Sequence, residues 1–272
     1  MKRLVLFLSL LMVFAFSVPA FAHFQMLYTP EIALEKGGKI DFKIVWTHPF
    51  ADGHTMEMTT PTAFYVLSQR GEGKIKKKDL KDKLKPVTWT GKANAARAYE
   101  ASVKVRSMGD HMFCFVPGPY YDKHEEAWMQ QITKTIVNVG GIPGNWAEPA
   151  GLETEIVPLD KPYALWTGNV FRGVVLSEGK PVSNCDIEVE YINHDVIMDK
   201  NAFARSNYVE APQDAFVTMT IKTNVNGEFS FGIPRAGWWG FAALGVGPEK
   251  EYKGAKFNAD AVIWIKAVDM MK

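Results

Sequence analysis

Histidine is the residue type whose placement in this sequence carries the most chemical information. The chain contains six histidines, and five of them fall in its first half: His23, His48, His54, His111 and His124. A neutral imidazole is the commonest protein ligand of transition metals. The placement therefore favours a metal site in the first half of the chain.

The densest histidine cluster is the segment "WTHPFADGHTMEM". His48 ends an alternating strand on its apolar face, and a proline and a glycine then predict a turn. On a returning strand His54, Met56 and Met58 would share one face because side chains alternate. Two imidazoles with thioethers behind them form a candidate metal site. The alternative is a core-edge histidine with methionines that only fill the core.

His23 stands directly behind residues 1–22, which have the basic start, apolar run and small-residue end of a secretory signal peptide. Cleavage after Ala22 would make His23 the N-terminus, so its α-amine and imidazole could chelate one metal ion. Cleavage after Ala20 would place His23 third, where four nitrogens form the square-planar set that suits Ni(II) or Cu(II). Either cleavage predicts a metal site at His23.

Further candidate ligands are His111, His124 and Glu125. His111 begins a strand, where a side chain faces solvent as often as not. His124 and Glu125 open a predicted helix, and because adjacent helical residues point in different directions, at most one is expected to reach a given site.

Composition and motifs exclude several classes of function. Removing residues 1–22 would leave 250 residues and change the net charge from +1 to −1, so neither nucleic acid nor an anionic membrane is a predicted partner. No later apolar run approaches the roughly 20 residues of a membrane span. No nucleotide-binding fingerprint or nucleophile motif occurs. We expect a soluble periplasmic protein that is not an enzyme and is not inserted in the membrane.

Alternating apolar residues, as in "GKIDFKIVWTH", separated by glycine, proline and asparagine turns predict an all-β fold. We expect two β-sandwich domains, a metal-binding domain at 23–160 and a second at 161–272. One short helix is expected in the first domain, at 122–137, with an aspartate capping its start. The segments "GNVFRGVVLSEGKPV" and "TNVNGEFSFGIP" make the second domain resemble the prealbumin-like, carboxypeptidase-regulatory type.

The sequence leaves open the role of the two cysteines and of four tryptophans. Cys114 and Cys185 are interpreted as small buried residues, and a bridge between them stays open. Tryptophans near glycines could form a sugar-binding platform, but core or domain-seam positions are favoured; they are Trp146, Trp166, Trp238 and Trp239.

The whole chain after residue 22 resembles the exported DUF4198 proteins. The residues that carry the likeness are "AHFQMLYTP", "IVWTHPFADGHTMEMTTP", "GDHMFCFVPGPYYDKHEEAWMQQITKTIVNVGGIPGNW" and "GNVFRGVVLSEGKPV". That family includes the periplasmic nickel-binding component that accompanies energy-coupling-factor nickel/cobalt transporters. The resemblance implies His23, His48 and His54 as ligand positions. Met56 and Met58 come from the strand argument alone.

The expected function is capture of Ni(II), or Co(II), and delivery to a membrane uptake transporter component. Three alternatives stay open: a periplasmic copper carrier that also uses the methionines, a copper-brace polysaccharide oxygenase, and a structural sandwich without a site.

Overall fold

A computed structural model describes residues 23–270, and β-strands dominate this part of the chain. The helical segments within residues 23–270 are two 3-10 turns, Lys81–Lys83 and Asp214–Phe216. The predicted all-β class is therefore confirmed. The predicted signal peptide, residues 1–22, lies outside the described residues.

Twenty-two strands follow one another along residues 23–270. In chain order they are β1 (Phe24–Tyr28), β2 (Ala33–Leu34), β3 (Gly38–Thr47), β4 (Ala63–Gln69), β5 (Lys76–Asp79), β6 (Lys85–Thr90), β7 (Ala95–Val105), β8 (Gly109–Val116), β9 (Tyr120–Asp122), β10 (Ala127–Val139), β11 (Thr154–Pro158), β12 (Leu165–Trp166), β13 (Val170–Ser177), β14 (Lys180–Pro181), β15 (Asp186–Tyr191), β16 (His194–Ile197), β17 (Ala202–Asn207), β18 (Thr218–Lys222), β19 (Glu228–Gly232), β20 (Gly237–Ala243), β21 (Lys250–Tyr252) and β22 (Ala255–Val268).

These strands form three sheets. A six-stranded sheet has the order β1-β3-β7-β6-β17-β16. A twelve-stranded sheet runs β18-β15-β20-β22-β10-β8-β4-β5, with β2 and β9 paired to β10 and with β12 and β21 paired to β22. A four-stranded sheet contains β11, β13, β14 and β19. The twelve-stranded sheet is the shared layer, because each smaller sheet packs against it.

Strands β20 and β22 are buried on both faces. Trp238 and Trp264 belong to the core under the six-stranded sheet, whereas Trp239 and Ile263 belong to the core under the four-stranded sheet. Neighbouring residues thus enter different cores because side chains alternate across a strand. Burial on both faces accounts for the nearly continuous apolar run "AVIWIKAV" in β22.

The two halves of the chain meet in one sheet. β10 and β22 pair in parallel from Trp128↔Phe257 to Thr135↔Trp264. A strand from before residue 160 is therefore a direct neighbour of a strand from after it. The predicted division of the chain into two domains, 23–160 and 161–272, stays a prediction.

The predicted helix at 122–137 is wrong. Asp122 does act as a cap, but its Oδ1 accepts the backbone N–H groups of His124 and Glu125 and so closes a turn. The chain then continues as β10, Ala127–Val139. The β-branched residues in "ITKTIVNV" favour a strand, and pairing with β22 and β8 overrides the helix-forming start.

The burial of the cysteines and tryptophans shows which of them pack in the cores. Both cysteines are free: Cys114 is buried and Cys185 half-buried. Trp238 and Trp239 are buried on opposite faces of β20, in agreement with the predicted core positions. Trp166 is exposed.

One ion pair is fully buried between sheets. Lys134 Nζ lies 2.6 Å from Glu155 Oε2, and both side chains are at most 2% exposed. The Glu155 carboxylate also accepts the backbone N–H groups of Ala150 and Gly151. Loss of the lysine would leave a buried charge without its counterion.

We predict that Lys134→Ala lowers the free energy of unfolding by about 3–5 kcal/mol, the usual effect of breaking a buried pair. Lys222→Ala, which removes the lysine of the exposed pair with Asp186, should cost less than about 1 kcal/mol. Urea denaturation of both variants measures the difference. Equal losses would contradict the assignment of the buried pair as a stabilising contact.

A second prediction concerns Glu188 on β15, a half-buried residue. Burial, with the nearby carboxylates of Asp260 and Asp186, raises the pKa of Glu188 from 4.5 to about 7. Because the folded state binds this proton more tightly, the contribution to stability is complete below pH 4.5 and is lost as the pH rises to about 7. Glu188→Gln should therefore flatten the fall of the melting temperature over that range. An unchanged pH profile would contradict the prediction.

Candidate metal centre

The pairing of β1 with β3 brings two distant histidines together. The antiparallel register pairs Phe24 with Thr47, so His23, just before β1, stands opposite His48, just after β3. Cross-strand neighbours of this kind have side chains in contact. The two imidazole ring centroids lie 4.1 Å apart with their planes tilted by 43°.

His54 completes the cluster from the other end of a short turn. Its ring centroid lies 6.2 Å from that of His23, with the two planes at 83°. His48 is buried, His23 is half-buried and His54 is exposed, so the cluster runs from the protein interior to the surface. The structure thus brings together the three histidines predicted from the sequence.

The turn between His48 and His54 is closed by two hydrogen bonds to backbone carbonyls. The Gly53 N–H donates to the His48 carbonyl at 3.3 Å, and Thr47 Oγ1 donates to the His54 carbonyl at 3.4 Å. Asp52 has a φ of 49°, in the left-handed region that aspartate tolerates better than most residues. Sequence and hydrogen bonding together fix the path between the two imidazoles.

The middle of the turn is anchored to the second half of the chain. The Phe50 N–H donates to Glu190 Oε1 at 2.9 Å. The Phe50 carbonyl accepts from Asn193 Nδ2 at 3.3 Å and lies 3.2 Å from His194 Nε2. The Pro49 carbonyl accepts from the Asn193 N–H at 3.2 Å. His194 therefore supports the turn that carries the cluster.

Electrostatics keep His23 uncharged at neutral pH. Burial, followed by the neighbouring His48 and His54, lowers the pKa of His23 to about 3, against a smaller opposing effect of Asp122. The buried Nε2 of His23 has no hydrogen-bond partner in the described part of the chain. A neutral imidazole with an unengaged nitrogen is the form that binds a metal ion.

Asp122, predicted from the sequence only as a cap, is close enough to His23 to act on its charge. The Tyr120 ring packs on Trp46 at 5.3 Å, and Trp46 packs on His23 at 6.5 Å. Tyr120 and Asp122 lie on one face of β9 because side chains alternate. In the sequence, only the two-residue spacing between Tyr120 and Asp122 indicates that Asp122 lies on this face of β9.

The methionines do not share the environment of His54. Met56 and Met58 are buried in the core under the six-stranded sheet, whereas His54 is exposed. The predicted returning strand does not form, since residues 53–61 lie outside the strands. Gln25 Nε2 lies 4.0 Å from Met58 Sδ. These contacts are typical of core packing.

The remaining candidates either make other contacts or are exposed. Both ring nitrogens of His111 are within hydrogen-bond distance of partners, Nδ1 at 2.8 Å from Ser68 Oγ and Nε2 at 2.9 Å from the Ser107 carbonyl. His111 is buried, although the sequence analysis left it as readily exposed. His124 and Glu125 are exposed on the turn after β9.

The histidine rings are packed against one another and do not yet point at one centre. Within residues 23–270 no three His, Cys, Asp or Glu side chains are arranged to hold a metal ion as they stand. The 43° tilt between His23 and His48 is a ring-packing geometry. Binding through all three imidazoles would therefore require rotation of the rings, which the exposed His54 can make at least cost.

Fold and site together define a β-sandwich protein with a cluster of three imidazoles at the rim of a sheet. The chain belongs to the DUF4198 family, a domain of unknown function, whose model matches residues 20–247. No curated protein matches the chain.

Solved structures similar to this chain include the full ectodomain of mouse nectin-like molecule 4, at 11% identity and a TM-score of 0.20. That alignment covers 90% of this chain and 64% of the ectodomain, so the chain spans less than two thirds of its length. Others are the D0-D1 domain of intimin (12% identity, 90% and 100% coverage, TM-score 0.21) and the adhesin InvE of Yersinia pseudotuberculosis (14%, 88% and 58%, 0.22). The architecture described above rests on the strand pairing of this chain itself.

The described residues contain no helix long and apolar enough to cross a membrane.

Gly53 allows the turn to pack closely on His48, so a larger residue at position 53 should disturb the His48 ring. A Cβ atom at position 53 would lie 3.0 Å from His48 Cβ and 3.2 Å from its Cδ2. Gly53→Ala should lower the free energy of unfolding by about 1–3 kcal/mol, as overpacking does, and shift the His48 ring resonances in NMR spectra. Gly38→Ala is the control, since nothing lies within 4 Å of its added Cβ. An unmoved His48 resonance would contradict the prediction.

Proposed function

We propose that this protein is a periplasmic carrier that binds one Ni(II) or Co(II) ion at His23, His48 and His54 and passes it to a membrane uptake transporter. The observation that carries the proposal is the contact between the His23 and His48 rings, with His54 beside them. Imidazole nitrogen suits both of these ions. Sequence resemblance to the nickel-binding component of nickel/cobalt transporters agrees with it.

The position of His23 adds a further donor in the exported protein. Cleavage after Ala22 would free the α-amine of His23, and the amine and imidazole of one residue can close a six-membered chelate ring. The N-terminal residue would then bind more tightly than an internal histidine. The proposal therefore links metal affinity to removal of residues 1–22.

The exposure of His54 supports the proposal that the protein is a carrier that can release its ion. His54 is at the surface while His48 is 4% exposed, so an incoming ligand from a partner protein can replace His54 first. Ligands exchanged one at a time avoid a free ion. No catalytic step is part of this proposal.

Two copper-based functions are the alternatives. A Cu(I) carrier would need thioethers, but the methionines lie in the core. Affinity for Cu(I) that falls in a Met56→Leu, Met58→Leu double variant would favour it. A copper-brace oxygenase would use His23 and His48, and oxygen-dependent formation of hydrogen peroxide by the copper-loaded protein would favour that function. Burial of Trp238 and Trp239 removes two residues of the imagined sugar platform.

The test is a competition titration of the exported, processed protein with Ni(II) and Co(II). His23→Gln, His48→Gln and His54→Gln should each weaken Ni(II) binding at least tenfold, equivalent to about 1.4 kcal/mol or more. His124→Gln, which changes an exposed histidine on the turn after β9, is the matched control and should change affinity less than threefold.

Circular dichroism and melting temperatures check that each variant folds. Absence of Ni(II) and Co(II) binding by the unmodified protein would contradict the proposal. So would an equal loss of affinity in His124→Gln and His54→Gln.

A further inference from the structure

A second candidate binding site is a cleft of about 1090 Å³ beside the turn between His48 and His54. It opens between residues 50–52 of that turn, the loop that joins β6 and β7, and the β16–β17 hairpin with the segment that follows it. Its volume is slightly above the usual range of about 300–1,000 Å³ for small-molecule sites. The histidines of the candidate metal centre are not among its lining residues.

The floor of the cleft is apolar and well supported. Phe50, Ile197 and Phe203 line it. Phe203 is 5% exposed and packs edge-on against Trp89, with ring centroids 5.0 Å apart. A floor held in this way is already formed before a ligand arrives, which lowers the entropy cost of binding.

Three cations line the cleft above this floor: Lys92, Lys200 and Arg205. All three are exposed. None of them forms a salt bridge within the described residues. Their charges are therefore available to a ligand, and charged donors paired with carboxylates make strong hydrogen bonds.

Two carboxylates, Asp52 and Glu210, also line the cleft and offset part of its positive charge. Glu210 Oε1 accepts from Asn207 Nδ2 at 2.7 Å. Asp52 belongs to the turn; burial raises its pKa above the usual value, and the backbone N–H and charge of Lys92 and the charge of His194 oppose that rise. Three cations against two acids leave the cleft with a positive balance.

We propose that this cleft binds a small organic polycarboxylate. The carbon skeleton covers the floor of Phe50 and Phe203, and the carboxylates pair with Lys92, Lys200 and Arg205. The site goes beyond the proposed metal carrier, because it uses different residues and needs no metal ion.

The test is isothermal titration calorimetry of the metal-free protein with citrate. The triple variant Lys92→Ala, Lys200→Ala, Arg205→Ala should weaken citrate binding at least tenfold, as expected for the loss of charged contacts. Lys74→Ala, Lys76→Ala, Lys78→Ala is the matched control. It removes the same charge from an exposed segment in and beside β5, at the far edge of the twelve-stranded sheet, and should weaken binding less than threefold.

Two further measurements distinguish the effect of the shape of the cleft from the effect of its charge. Ala211→Trp places a bulky side chain in the lining without a change of charge and should weaken citrate binding at least tenfold. Inorganic phosphate, which has no carbon skeleton, should bind at least tenfold more weakly than citrate.

Several results would overturn the inference: no citrate binding at millimolar concentration, equal losses in the two triple variants, or phosphate that binds as tightly as citrate. Citrate binding by a protein that binds no Ni(II) would support the cleft and contradict only the metal carrier. The reverse result would contradict only the cleft.

Discussion

The antiparallel pairing of β1 with β3 is the contact on which the candidate site depends. Its register sets His23 opposite His48, and a slip of one residue would turn His23 to the other face of the sheet. Side chains of the twelve-stranded sheet fix β1 from below: the Gln25 N–H donates to Gln131 Oε1 at 2.7 Å, and Trp264 Nε1 donates to the Gln25 carbonyl at 2.9 Å. The segment directly behind the predicted cleavage site is thus part of the core.

The neighbouring strands and the turn hold His23 and the His48–His54 segment in a fixed environment. Burial and the neighbouring imidazoles keep His23 uncharged, and the turn from His48 to His54 is anchored through Phe50 to Glu190 and to the loop before β16. Both ends of the site are therefore supported by the twelve-stranded sheet or by strands that join it. In the proposed carrier, this support and the exposed His54 would serve capture and transfer of an ion.

Local patterns predicted the strands and the three histidines, but contacts between distant segments decided the rest. Alternation identified β3, and the turn residues placed His54 near His48. The helix predicted from Asp122 failed because β10 pairs with β22, more than one hundred residues away. The same pairing joins the two halves of the chain. Asp122 was missed as a neighbour of the cluster, since its approach depends on Tyr120 packing against Trp46.

Native mass spectrometry of the protein after export and processing by a cell tests metal binding at the His23 terminus. One spectrum reports both the N-terminal residue and the number of metal ions bound during titration with nickel, cobalt and copper. We expect a chain that begins at His23 and retains one Ni(II) or Co(II) ion. A chain that begins at His23 and retains neither ion would contradict this expectation.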